Sequence, residues 1–240
     1  MRESEVPVTR SERSAITRSA VGIALYAGAF GASYGAVAVS SGLSVAQAMV
    51  LSLVMFSGAS QFALAGVVAA GGSAYAAIAA SLLLAVRNAF YGVPMSAILR
   101  RPNAEKQGGL ARLGTAHFVI DETTAMALAQ PTRSAQRFAF WATGASLFVL
   151  WQAGSLLGAL VGQAIDPSDF GLDAASPAVF LALLWPALRR SPTARWVALA
   201  GAAVALVLVP VAPPGVPVIA AAGVAVIAGF LPGAPAEDSE

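Results

Sequence analysis

Between Arg18 and Arg87 the chain contains not one Asp, Glu, Lys or Arg. A water-soluble domain cannot build its surface from such a stretch, because soluble domains carry roughly 25% charged residues. Over all 240 residues the charged share is only 11%, against 58% hydrophobic. Several apolar runs reach the roughly 18 to 20 residues that a helix needs to cross the hydrocarbon core of a bilayer. The fold class is therefore all-α, a polytopic integral membrane bundle of about seven spans. Broken or re-entrant helices and an internal repeat are part of that expectation.

Charge and cysteine usage exclude several functions. The net charge is +2, and the basic residues fall between apolar runs. That pattern speaks of membrane orientation, with the lipid bilayer as surrounding and no nucleic acid as partner. Cysteine is absent, which removes disulfides, thiol nucleophiles and thiolate metal sites. No cofactor and no metal are expected. Residues 1–18 form a polar lead with Arg2, Arg10, Arg13 and Arg18, read as mobile and cytoplasmic by the positive-inside tendency. It lacks the short apolar core and small-residue cleavage site of a signal peptide, so the first span is expected to act as the insertion signal. Residues 19–232 make the transmembrane domain. Residues 233–240, with Glu237, Asp238 and Glu240, make an acidic tail expected to be disordered.

The first apolar stretch runs from about Ala20 to Ser41 and contains Gly28, Gly31 and Gly35. Small residues one turn apart let another helix approach closely. Tyr34 reads as an interfacial anchor. The second stretch, about Val45 to Ala70, carries Phe56-Ser57-Gly58-Ala59-Ser60-Gln61-Phe62 where a plain anchor would be most apolar. Unpaired polar groups in hydrocarbon cost several kcal/mol each, so this cluster must line a cavity or meet another helix. Two readings stand open. Either the helix is continuous and its serines bond back to the preceding turn, or it unwinds at Gly58 and frees amides for a carboxylate and carbonyls for a cation.

The third stretch, about Ala74 to Leu99, holds Arg87, thirteen positions or roughly 20 Å before Arg100. An arginine so deep needs a charge partner, a wet cavity or a cage of carbonyls. Asn88 adds an amide beside it, and Tyr91 follows one turn later. After the polar loop 100–112, the weaker stretch Leu113 to Ala129 carries His117 and the adjacent acids Asp121 and Glu122. Two central acids make a lipid-facing span implausible, and a short packed or re-entrant helix fits better. Neighbouring residues point about 100° apart on a helix. One acid is then the counter-charge for Arg87, and the other is free to carry a proton. His117 reads as a hydrogen-bonded packing residue.

Phe138 to Ile165 carries Gly154, Gly158 and Gly162, a stripe for close packing within this chain or against a second subunit. Asp166, Asp169 and Asp173 suit an outer loop. Pro177 to Leu188 is a short span with Pro186 favouring a kink, and Arg195 to Val209 pairs with Val216 to Leu231. The apolar pattern of 43–58 faintly repeats in 172–187, with helix breakers at corresponding places. One conflict stands. Three full crossings from a cytoplasmic N-terminus put Arg100, Arg101, Lys106 and Arg112 outside, unless the broken second stretch is re-entrant.

Phe56-Ser57-Gly58-Ala59-Ser60-Gln61-Phe62, Arg87-Asn88-Ala89-Phe90-Tyr91-Gly92 and Asp121-Glu122-Thr123 resemble the AzlC family, the large subunits of branched-chain amino acid exporters. The resemblance covers about Ala20 to Leu231, with distinctive motifs only before about Leu128. It differs at Asn88, where many relatives carry His, which weakens any titrating role there. The resemblance implies an inner-membrane permease exporting valine, leucine, isoleucine or methionine, driven by protons. It also implies a small hydrophobic AzlD-like subunit. In that picture Ser57, Gly58, Ala59, Ser60, Gln61, Arg87, Asn88 and Tyr91 bind substrate, while Asp121 and Glu122 couple protons. The alternatives are a channel or transporter for another small solute, or an assembly subunit. An intramembrane hydrolase has poor support, since no Cys occurs and His117 is the only histidine.

Overall fold

In a computed structural model, the described residues are 7–100, 109–164, 175–213 and 215–230, and they form ten helices. The loop residues Arg101 and Lys106, the acidic loop 165–174 and the tail fall outside them. Three helices are long and apolar enough to cross a membrane: α1 (Arg10–Ser40), α4 (Ala74–Leu99) and α7 (Arg133–Ala164). Between them lie four short helices, α2 (Val45–Val54), α3 (Gly58–Ala69), α5 (Gly109–His117) and α6 (Asp121–Leu128). Then come α8 (Ala175–Arg190), α9 (Pro192–Leu208) and α10 (Val216–Phe230).

α1 starts inside the stretch expected to be a mobile lead. Thr9 and Glu12 form a capping box, with the Thr9 N–H donating to Glu12 Oε2 at 2.8 Å and the Glu12 N–H donating to Thr9 Oγ1 at 3.3 Å. These bonds satisfy two otherwise orphaned donors and let the helix begin nine residues early, at Arg10.

α1 and α7 share the largest interface, and they run parallel. A Cβ at Gly28 would meet the Leu150 carbonyl oxygen at 2.9 Å, and one at Gly31 the Trp151 carbonyl oxygen, also at 2.9 Å. Reciprocally, side chains at Gly154 and Gly158 would collide with the Gly28 and Ala32 carbonyls. The glycine stripe is thus spent within this chain. Such contact lets backbones gain dispersion along their whole length, where lipid tails offer helices no hydrophobic reason to associate.

Parallel packing brings the N-termini of α1 and α7 to one end, where Ile16 packs with Ala135 and Ala139 and Arg13 lies 5.1 Å over the Phe138 ring. α4 finishes at this same end. Arg133 donates to the Ala97 carbonyl at 2.9 Å, and Arg137 donates to the carbonyls of Ile98 and Arg100, both at 2.8 Å. The last carbonyls of α4 have no partner within their own helix, so these donors cap it.

With α4 running toward that basic end, α2 and α3 cannot together cross the bundle. α2 starts beside the C-terminus of α1, and Leu43 there packs against Leu64 and Val67 near the end of α3. The chain reverses at Met55–Ser57, whose Phe56 ring reaches Phe148 at 5.3 Å. α5 and α6 reverse the other way. Met126 on α6 packs with Ile16 and Ala135 at the basic end, while His117 stacks on Phe56 at 5.7 Å. Two helical hairpins therefore enter from opposite ends, and their tips meet mid-bundle. This removes the conflict over the 100–112 loop.

Two other expectations are corrected. Tyr34 is no interfacial anchor: it is fully buried and its hydroxyl donates to the Ala48 carbonyl at 3.0 Å. The helix breakers at corresponding places of 43–58 and 172–187 do not act alike among the described residues, because α8 runs through Pro186 to Arg190 while the first segment breaks after Val54. The resemblance in shape is instead between the two hairpins.

The seam makes a prediction. Gly158→Leu should lower the thermal stability of the detergent-purified chain by at least the roughly 1–3 kcal/mol of core overpacking. Gly22→Leu, where nothing lies within 4 Å, should leave it unchanged. Thermal unfolding followed by size exclusion reads both.

Candidate functional site

The hairpin tips border a cavity of about 740 Å³. Ile23, Ala27 and Phe30 of α1, Phe56, Ile120, Leu147 and Trp151 supply apolar walls. Ser57, Gly58 and Ala59 enter from the first tip, Arg87 from α4, and Asp121 and Glu122 from the second tip. Arg87 Nη2 and Asp121 Oδ2 are 3.6 Å apart, each side chain nearly half exposed to the cavity. That distance gives Coulomb attraction without a well-formed hydrogen bond. The pair is therefore loosely engaged and open to a third group.

Both tips aim the start of a helix at the cavity. α3 begins at Gly58 and α6 at Asp121, and neither N-cap contributes a side-chain hydrogen bond. The first amides of a helix lack intrahelical acceptors and carry the positive end of its dipole, which suits an anionic group. Gly58 is small of necessity, since a Cβ there would meet the Trp151 ring at 2.8 Å. The unwinding covers Met55–Ser57, just before Gly58, so the open reading of a helix broken at Gly58 is displaced by a few residues.

Each tip is braced by one polar residue of its second helix. Gln61 donates from Nε2 to the Met55 carbonyl at 2.6 Å and accepts from Trp151 Nε1 at 3.0 Å. Thr123 donates to the Phe118 carbonyl at 2.7 Å and accepts from the Ile120 N–H at 3.1 Å. Unwound backbone inside a membrane needs such partners.

Of the residues singled out in sequence, Ser57, Gly58, Ala59, Arg87, Asp121 and Glu122 come together around this cavity. Ser60, Gln61, Asn88 and Tyr91 do not line it. Ser60 is fully buried against Ser57, their hydroxyls 3.1 Å apart, and Gln61 is consumed by its two bonds. Asn88 Oδ1 is buried without a hydrogen-bond partner among the described residues, and Tyr91 packs beside Met95 and Phe140. His117 lies among Phe56, Phe118 and Phe148 as a packing residue. Sequence reasoning missed the walls from α1 and α7. Trp151 carried a usable signal, because an indole N–H in an apolar helix requires an acceptor.

Comparison with known proteins bears on what this cavity serves. The AzlC protein family model matches residues 22–165, which contain both hairpins and every charged residue of the cavity. The chain belongs to the AzlC family. AzlC proteins act in membrane transport related to amino acid export, so this is a membrane protein with a transport role. No curated protein and no solved structure matches the chain.

The bracing of the first tip is testable. Gln61→Leu should leave the Trp151 N–H unsatisfied and the Met55 carbonyl with only the Ser57 N–H as donor, lowering stability by about 1–3 kcal/mol. In a double-mutant cycle with Trp151→Phe, the two losses should fall short of additivity, because they remove one shared bond. Additive losses in thermal unfolding would show that the bond carries no coupling.

Proposed function

We propose that this chain is the large subunit of a secondary transporter that exports branched-chain or similar small apolar amino acids across the cytoplasmic membrane. The observation carrying the reading is the one cavity in which apolar walls, a loosely paired arginine and two carboxylates meet at two oppositely inserted tips. Valine, leucine, isoleucine and methionine each present a carboxylate, an ammonium group and an apolar side chain. The carboxylate meets Arg87 and the amides at Gly58–Ala59. The ammonium meets Asp121 or Glu122, and the side chain lies among Ile23, Phe30, Leu147 and Trp151.

Coupling follows from the same groups. Among the described residues lining the cavity, the two adjacent acids meet one cation, Arg87, so the second carboxylate is the natural proton carrier. Protonation removes the attraction that holds the substrate ammonium, and release follows. Two half-helical hairpins reaching the midplane from opposite sides suit alternating access, because each can open one side without the other. Arg10, Arg13, Arg18, Arg100, Arg112, Arg133 and Arg137 all sit at or near the ends of helices gathered at one end of the bundle. The positive-inside tendency makes that end cytoplasmic. A small AzlD-like hydrophobic subunit completes the transporter.

The test is efflux of labelled valine and methionine from cells preloaded with dipeptides, with and without the small subunit. Arg87→Ala should reduce efflux about 10- to 100-fold, the worth of a hydrogen bond to a charged group, with membrane insertion intact. Asp121→Asn should do the same, and an uncoupler should collapse wild-type efflux. Unchanged efflux in both variants would make the charges structural. Absence of amino acid efflux with the subunit present would sink the substrate assignment.

A further inference from the structure

A second cavity, of about 650 Å³, lies at the basic end between α4, α5 and α7. It shares no lining residue with the central one. Met95, Leu99, Val119 and Trp141 give it apolar walls, while Arg100, Arg112 and Arg137 bring three guanidinium groups from three elements. No carboxylate among the described residues lines it. Arg137 is held rigidly by its bonds to the Ile98 and Arg100 carbonyls, both at 2.8 Å, so one cation is built into the wall. Segment 100–112 contains Arg100, Arg101, Lys106 and Arg112 against the single acid Glu105. The sequence of this segment therefore carries more positive than negative charge.

Two further observations describe what would fill the space. α5 buries none of its own residues, and Ala111 and Ala116, which line this cavity, are exposed. The arginines also stand at the end of α4, a membrane-crossing helix whose Phe90 and Val93 are open to the surroundings. That is the depth at which apolar chains give way to headgroups. An occupant must carry negative charge at the mouth and hydrocarbon within. A soluble phosphate lacks the second part, and a zwitterionic lipid brings a cation that the arginines oppose.

We propose that this cavity binds an anionic phospholipid, its phosphate among Arg100, Arg112 and Arg137 and an acyl chain along Met95, Leu99 and Trp141. The bilayer leaflet at the basic end supplies such lipids and already attracts basic segments by about 1 kcal/mol per residue. A lipid in this place covers α5, one arm of the hairpin whose tip reaches the central cavity.

Trp141 reports occupancy directly. The full chain in phosphatidylcholine nanodiscs would receive a small fraction of phosphatidylglycerol brominated on its acyl chain, or of brominated phosphatidylcholine. Subtracting Trp141→Phe isolates the signal from this residue. The anionic lipid should quench Trp141 several-fold more than the zwitterionic one. Arg100→Gln with Arg112→Gln should erase the preference, and Arg100→Lys with Arg112→Lys should keep it. The Arg100 carbonyl that Arg137 engages is unaffected by either change. Equal quenching by both lipids would mean ordinary boundary lipid and overturn the proposal, as would an unchanged preference in the double glutamine variant. Loss of the preference on adding soluble glycerol phosphate would show that the site reads phosphate alone, and would overturn the lipid assignment.

Discussion

The backbone contact between α1 and α7 sets the rest of the structure. Gly28, Gly31 and Gly35 on one side and Gly154, Gly158 and Gly162 on the other remove the side chains that would hold the helices apart. Because the two run parallel, their basic N-terminal turns come together. Arg133 and Arg137 are then in place to receive the unpaired carbonyls of α4. An arginine there serves twice, as a donor to orphaned carbonyls and as a cation at the negative end of a helix dipole. Once α4 ends at the basic end, each intervening broken segment must turn back toward the end it came from. The hairpins follow from packing elsewhere.

Turning back mid-membrane leaves backbone polar groups exposed to a medium that cannot solvate them. The chain answers at each tip with a side chain from the next helix, Gln61 at the first and Thr123 at the second. Gln61 in turn depends on the Trp151 indole of α7, so the first tip is tied to the central seam. Arg87 is tolerated at this depth for a related reason. It faces a cavity and Asp121 rather than lipid. The polar groups that look misplaced in the linear chain occupy one shared interior.

Much of this was legible in the chain, and the failures have physical causes. α4 lies where its apolar stretch was read, Ala74–Leu99, because Gly71 and Gly72 before it and Arg100 after it punctuate the helix clearly. The polar insertions at Ser57, Arg87 and Asp121 were legible as groups that share one cavity, since each is expensive in hydrocarbon unless the others are near. Direction was not legible. Two apolar half-helices in succession have the same length and composition as one spanning helix, and only the capture of the α4 carbonyls by distant arginines decides between them. Tyr34 and Gln61 were misread for the same reason: their partners, Ala48 and Trp151, lie far along the chain or across a turn. Polarity announces that a group needs a partner without naming it.

The two hairpins mirror each other in path but differ in how firmly they are held. α3 buries Ser60 through Ala65 in an unbroken run, with Phe62 wedged edge-on against Phe30 and Tyr34 at 5.4 and 5.7 Å. α5 buries nothing of its own, and a cavity stands between it and α4 and α7. Segments with few buried contacts open at lower free energy than the core around them. The arm with room behind it is on the basic side, while the arm on the opposite side is locked to the α1–α7 seam.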